Sequence, residues 1–136
     1  YVFLCFNTCM DTLLDRKRLF KTLAYFIITL FLVNYIALKF HWYFSIWYFD
    51  MPMHFLGGFC VGLGLIWFFG DINEKLILKI IVGILVIGIS WEIFEFIFNN
   101  YIAGDSFNLL DTLSDIFFDL MGGLCAILYL WRKQLK

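Results

Sequence analysis

The chain has 136 residues, of which 63% are hydrophobic, 22% aromatic and 15% charged, and its formal net charge at pH 7 is -1. A soluble globular domain is nearer half apolar and a quarter charged, so this composition excludes a disordered tail, a nucleic-acid binder and most soluble enzymes. With a mean hydropathy of +0.88, the length suits one domain of about four membrane-spanning helices, at about 20 residues for each span.

The first apolar run, residues 22–38, follows a short basic segment. It is too long for the apolar part of a signal peptide, and no A-x-A cleavage site follows it, so we predict a retained helix. Residues 1–9 precede Met10; we interpret them as upstream or partial sequence and leave them out of the predicted fold. The chain is then divided into an N-terminal segment 1–21, a transmembrane domain 22–131 and a basic tail 132–136.

Three further apolar runs cover residues 47–69, 76–98 and 110–131. Each of them is long enough to cross a bilayer as a helix. The predicted fold is therefore an all-α membrane protein, a bundle of four transmembrane helices. Aromatic residues before and at the start of the second run predict a belt at the outer membrane interface; they are Trp42, Tyr43, Trp47 and Tyr48. Tyr129 and Trp131 predict an inner belt.

The basic residues predict the orientation of this bundle. Nine of the ten lysines and arginines lie before the first run, between the second and third runs, or after the fourth, and only Lys39 lies on the opposite side. Because the loops on the cytoplasmic side carry the excess of basic residues, both termini are predicted to be cytoplasmic.

The acidic residues show the opposite bias. Helical spacing predicts that the acids of each run, with the histidine at position 54, share one face of their helix. Burying a carboxylate among lipid at the middle of a helix costs about 2.5–3.5 kcal/mol, so these side chains are not expected to face lipid. The acids on the predicted outer side are Asp50, Glu92, Glu95, Asp105, Asp111, Asp115 and Asp119.

Glycines accompany these acids on all three helices, as at Gly58, Gly88 and Gly122. Small residues allow membrane helices to approach closely. We therefore predict that the second, third and fourth helices pack through their glycine faces and enclose the polar side chains.

Three segments of the chain resemble motifs of known proteins. Residues 50–58 (DMPMHFLGG) resemble the D-x-x-x-H-F-x-x-G segment of small bacterial membrane proteins of the VanZ-like and YjdF-like type. Residues 91–95 (WEIFE) are similar to their E-x-x-E or E-x-x-Q element, and residues 111–122 to their last motif, D-x-x-x-[DN]-x-x-G. Glu95 stands where VanZ-like proteins usually have Gln, and Asp119 where Asn is common, which favours the YjdF-like side. The resemblance implies a protein of the bacterial plasma membrane and cell envelope.

The polar cluster suits a site for a divalent cation. His54, Glu92 and Asp115 are the candidate catalytic residues, and the candidate metal ligands are Asp50, His54, Glu92, Glu95, Asp115 and Asp119. One imidazole with several carboxylates suits Mg²⁺, Mn²⁺, Ca²⁺ or Zn²⁺ without selecting one of them. Asp111 is interpreted as a helix N-cap or a further site residue, and Asp105 as a turn residue in a loop.

Three functions remain open from the sequence. In the first, an enzyme, the bound cation activates water or polarises an oxygen of an envelope lipid or lipid-linked substrate. In the second, the acids form a relay for protons or cations, although the apolar stretches beyond them offer no polar route. In the third, the cluster is a structural core or a receptor for a ligand. Membrane lipids are the expected partners, nucleic acid is not, and a homo-oligomer is left open.

Overall fold

The computed structural model describes residues 2–70, 74–98 and 108–134, and within these ranges all regular structure is helical. The prediction of an all-α fold is therefore confirmed. Four stretches are long and apolar enough to cross a membrane: Arg16–Lys39, Asp50–Phe69, Ile77–Phe98 and Leu109–Leu130. The helices are α1 (Val2–Lys39), α2 (Trp42–Ser45), α3 (Asp50–Phe69), α4 (Glu74–Phe98) and α5 (Leu109–Gln134).

The helix boundaries differ from the predicted ones at several points, most of all at the start of α1. Helix α1 already includes residues 2–9, which were not predicted to be part of the fold. Helix α3 begins at Asp50 and not at position 47. Pro52 explains this later start, because proline has no N–H to donate and is tolerated only where the helix leaves that donor unpaired, in its first turn.

The short helix α2 was not predicted. The chain turns back after α1 through His41, whose φ of 55° lies in the left-handed region, and the His41 carbonyl accepts hydrogen bonds from the amides of Phe44 and Ser45. The rings of Trp42 and Tyr43 then pack edge-on against Phe49, with centroid separations of 5.5 and 5.1 Å. Helix α2 therefore lies over the start of α3.

Helix α3 is the central helix, because it packs against α1, α4 and α5. Its closest neighbour is α5, and glycines on both helices allow that approach. A Cβ atom added to Gly58 would fall on the backbone of Asp119, and one added to Gly122 would fall on the carbonyl oxygen of Phe55. The predicted packing of glycine faces is confirmed at this crossing.

An apolar core fills the bundle beyond the glycine crossing. Its side chains come from α1, α3, α4 and α5 and form one contiguous cluster. The outward faces of the helices expose large apolar side chains such as Phe31 and Phe68, as expected for helices surrounded by lipid. The buried core residues are Leu23, Cys60, Leu63, Ile66, Ile80, Ile84, Ala126, Ile127 and Leu130.

Arg16 connects α1 to the C-terminal end of α3. Its guanidinium donates a hydrogen bond of 2.8 Å to the carbonyl oxygen of Trp67 and lies 5.6 Å from the centre of the Trp67 ring. The last carbonyls of a helix lack partners within that helix and favour a positive charge. The contact fixes the first span against the central helix at the end opposite the polar cluster.

Candidate metal centre

His54 lies at the centre of the polar cluster, at the end of the bundle where α3 and α5 begin and α4 ends. Its side chain is only 6% exposed. The Nε2 atom lies 3.7 Å from Asp50 Oδ1, 3.9 Å from Asp115 Oδ1 and 4.0 Å from Glu92 Oε1. The Nδ1 atom lies 3.5 Å from Asp119 Oδ2. Four carboxylates from three helices thus surround one imidazole.

Helical geometry accounts for this convergence. Asp50 and His54 are one turn apart on α3, and Asp115 and Asp119 are one turn apart on α5, so each pair shares a face. Glycine makes room for the deepest carboxylate: a Cβ atom at Gly88 of α4 would lie 2.7 Å from Asp119 Oδ2. The Asp119 side chain therefore occupies space between α3 and α4 that is free because residue 88 is glycine.

The two ring nitrogens of His54 face different surroundings. Nδ1 lies near Asp119, whereas Nε2 lies near Asp50, Glu92 and Asp115. An imidazolium donates from both nitrogens, but a neutral histidine that donates from Nδ1 to a carboxylate presents an unprotonated Nε2. Such an Nε2 lone pair, surrounded by carboxylate oxygens, is unfavourable unless a positive charge lies between them.

Glu92 supplies a buried oxygen that lacks a hydrogen bond. Its side chain is 10% exposed, and within the described part of the chain its Oε1 atom has no hydrogen-bond partner. An unpaired buried carboxylate oxygen is costly, so Oε1 is the atom of the cluster that most needs a ligand.

The predicted site residues come together with one exception. Ligand atoms of Asp50, His54 and Asp115 lie within 4.8 Å of one another, and so do those of His54, Glu92 and Glu95. Asp119 joins them through the other ring nitrogen of His54. These six residues, all the candidate ligands, therefore occupy one cluster.

Asp111 is the exception, and its interpretation as an N-cap was wrong. Helix α5 begins two residues earlier, at Leu109, and the side chain of Asn108 accepts a hydrogen bond from the Leu110 amide. Asn108 is therefore the N-cap. Asp111 is an exposed residue of the first turn, where a negative charge complements the helix dipole. The predicted turn residue Asp105 lies outside the described residues.

The profile of a family described as "Predicted membrane protein (DUF2238)" matches residues 2–136. The chain belongs to this family. No curated protein and no solved structure matches it. The family description agrees with the four candidate spans, and what this member of DUF2238 does must be argued from its site.

This DUF2238 member has a cavity of about 260 Å³ beside the cluster. His54, Asp50 and Asp119 line it, and so do Asn34 of α1 and Tyr43 of α2. The Tyr43 hydroxyl donates a 2.7 Å hydrogen bond to Asn34 Oδ1. Tyr43 is half-buried and lines the cavity; its place in an interfacial belt stays a prediction.

We expect Tyr43 to make the fold sensitive to alkali. Burial, followed by the charges of Asp50 and Glu95, raises the pKa of Tyr43 to about 12. Because the unfolded chain loses this proton near pH 10, the contribution of Tyr43 to stability is complete below pH 10 and is lost between about pH 10 and 12. Thermal unfolding in detergent should show this loss in the wild type and a smaller loss in Tyr43→Phe.

Tyr48→Phe is the matched control, because Tyr48 is exposed. Its alkaline loss of stability should equal that of the wild type. Equal losses in wild type and Tyr43→Phe would contradict the assigned environment of the Tyr43 hydroxyl.

Proposed function

We propose that the cluster binds one divalent cation through His54 Nε2 and the carboxylates around it. In this proposal Asp50, Glu92 and Asp115 supply oxygen ligands, Glu95 adjoins them, and Asp119 orients the imidazole through Nδ1. The convergence of three carboxylates on Nε2, with one of their oxygens buried and unpaired, carries the proposal.

The distances support a cation more than a network of shared protons. Carboxylates and imidazoles that share a proton approach to about 2.5–3.0 Å, whereas here the separations from Nε2 are 3.7–4.0 Å. Two ligand atoms that each lie about 2.1 Å from one ion are about 3.4 Å apart at a tetrahedral angle and about 4.2 Å apart when opposite. The observed spacing falls between these two values.

The charges support the same proposal. Clustered carboxylates repel one another, and burial strengthens that repulsion. In the described cluster, His54 is the only side chain that can become positive, and Nδ1 already faces Asp119. A divalent cation would neutralise two of the carboxylates and would supply the partner that Glu92 Oε1 lacks.

We infer that the site faces the outer side of the plasma membrane and acts on or recognises the phosphate headgroup of an envelope lipid. The basic residues support this orientation, since the sequence pattern assigns nine of the ten to the opposite side. The resemblance to VanZ-like and YjdF-like proteins supports a role in the bacterial cell envelope. A bound cation would polarise a phosphate oxygen, and a carboxylate released from it, such as Glu92 or Asp115, would serve as general base.

A relay of protons or cations through the bundle is less well supported. The described core beyond the cluster is apolar from Leu63 to Ala126 and Leu130, so a transported ion would have to cross it without a polar partner. A purely structural cluster leaves the unpaired oxygen of Glu92 unexplained.

Elemental mass spectrometry of the detergent-purified protein tests the cation proposal. After incubation with Mg²⁺, Mn²⁺, Ca²⁺ or Zn²⁺ and removal of free ions, the wild type should retain about one ion per chain. His54→Ala and Glu92→Gln should each retain less than about a tenth of that amount, because each loses a ligand from a buried site.

His41→Ala is the matched control, since His41 is the other histidine of the chain and is exposed. It should bind the ion as the wild type does. Failure of the wild type to retain any of the four ions would overturn the cation proposal and leave shared protons as the means of reducing the charge.

A further inference from the structure

The cavity beside His54 has one polar end and one apolar end. The polar end is formed by the cluster residues Asp50, His54 and Asp119, with the hydrogen-bonded pair of Asn34 and Tyr43 beside them. The rest of the wall is almost entirely apolar. It consists of Leu30, Met53, Gly57, Gly58, Val61, Ile84, Ile87, Gly88 and Trp91.

The cavity also opens sideways. Its walls come from α1 and α4 on the two sides of α3, yet within the described ranges extensive packing is found between α1 and α3 and between α3 and α4, and not between α1 and α4. Two residues of the α4 wall, Ile87 and Trp91, are themselves 46% and 54% exposed. A gap between two spans, lined by half-exposed apolar side chains, opens toward the lipid.

We propose that this cavity holds an acyl chain of a phospholipid that enters between α1 and α4, with the lipid phosphate on the cation at His54. This inference rests on the proposed function. Without a cation, the carboxylates of Asp50 and Asp119 would repel a phosphate. With a cation, phosphate oxygens and the cluster carboxylates share one hard ion.

The position of the polar groups fits an amphiphile better than a water-soluble ligand. The apolar wall lies between membrane spans, where a ligand already dissolved in the bilayer reaches it directly. Because an acyl chain passes from one apolar environment to another on entering the cavity, packing against the wall and the headgroup contacts would decide how well it binds. The Asn34 and Tyr43 side chains stand at the polar end, where they can contact the headgroup.

Photolabelling in nanodiscs tests this inference. The probe is phosphatidic acid with a diazirine in its acyl chain, present at a few per cent in phosphatidylcholine together with the divalent cation. After irradiation, peptide mass spectrometry of the wild type should find adducts on the half-buried wall residues Leu30 and Val61. Removing the cation with a chelator should lower these adducts at least fivefold.

Two variants on α4 make the test specific to the cavity. Ile87→Trp adds bulk at the opening and should lower the adducts on Leu30 and Val61 at least fivefold. Ile89→Trp is the matched control, because Ile89 is 44% exposed on the same helix but does not line the cavity. It should label as the wild type does.

The outcomes separate the lipid inference from the cation proposal. Adducts confined to outward residues such as Phe31, or equal labelling of Leu30 and Val61 in Ile87→Trp and wild type, would overturn the lipid inference while the metal content stays as expected. Absence of any retained ion would overturn the cation proposal and the binding of phosphate to it. In that case, loss of cavity labelling in Ile87→Trp alone would still support the acyl chain in the cavity.

Discussion

Gly58→Ala should destabilise the bundle and abolish ion binding together. The added Cβ would fall on the backbone of Asp119, which cannot rotate away as a side chain can, so α3 and α5 must separate. Overpacking a core costs about 1–3 kcal/mol or more, and the clash with backbone puts Gly58→Ala at the upper end. A loss of about 3 kcal/mol would lower the midpoint of thermal unfolding in detergent by about 10 °C.

The loss of ion binding follows from the same displacement. Asp119 faces His54 Nδ1 across this crossing, and Asp115 is one turn away on the same helix. Moving α5 outward would take both carboxylates away from the imidazole. We therefore expect elemental mass spectrometry to find less than about a tenth of the wild-type ion in Gly58→Ala. The displacement would remove both the proposed ligand Asp115 and the residue that orients the imidazole, Asp119.

Gly57→Ala is the matched control, one residue earlier on α3. The nearest atom to its added Cβ is Asp119 Oδ1 at 3.8 Å, which is an ordinary contact. Alanine also has the higher helix propensity, by up to about 1 kcal/mol, so Gly57→Ala should match or slightly exceed the stability of the wild type. Equal destabilisation of Gly57→Ala and Gly58→Ala would contradict the assigned α3–α5 crossing.

Much of this fold follows from two regularities of the sequence. Apolar runs of about 20 residues specify the spans, and the cost of exposing acids to lipid means that helices carrying Glu92 and Asp115 must turn those residues toward each other. Glycines at helical spacing then indicate the faces that meet. The placement of six candidate ligands in one cluster could therefore be predicted before any contact was known.

The start of α3 could have been predicted by the same reasoning. Pro52 requires the helix to begin within the preceding turn, whereas the apolar run placed its start about three residues earlier, at position 47. The N-cap of α5 was missed for a similar reason, since Asn108 is as good a cap as Asp111 and only the backbone shows which residue comes first.

Other features depend on tertiary contacts that have no period in the sequence. The hydrogen bond from the Tyr43 hydroxyl to Asn34 depends on the packing of α2 against α1. The one available signal was Asn34 itself, an amide within the apolar run of α1, which needs a partner in a membrane. The two different environments of the His54 nitrogens also depend on the rotation of α5 relative to α3. The spacing of residues along each helix does not determine that rotation.

Asp119→Asn should weaken ion binding without removing a ligand. Asparagine has nearly the same shape, so it fits the space beside Gly88, but it no longer supplies the charge that favours a proton on His54 Nδ1 and a free lone pair on Nε2. Replacing such an outer partner of a metal-binding histidine weakens metal affinity by about 10–100-fold. Titration calorimetry with the ion that the wild type retains would measure this change.

A spectroscopic readout distinguishes this positioning role from a general loss of structure. With ¹⁵N-labelled histidine, the wild-type spectrum should show His54 protonated at Nδ1 and ligated at Nε2, and Asp119→Asn should shift His54 toward a mixture of tautomers. Asp111→Asn removes an exposed acid from the same helix and should change neither the spectrum nor the affinity by more than about twofold. If Asp119→Asn behaves like Asp111→Asn, then Asp119 does not orient the imidazole.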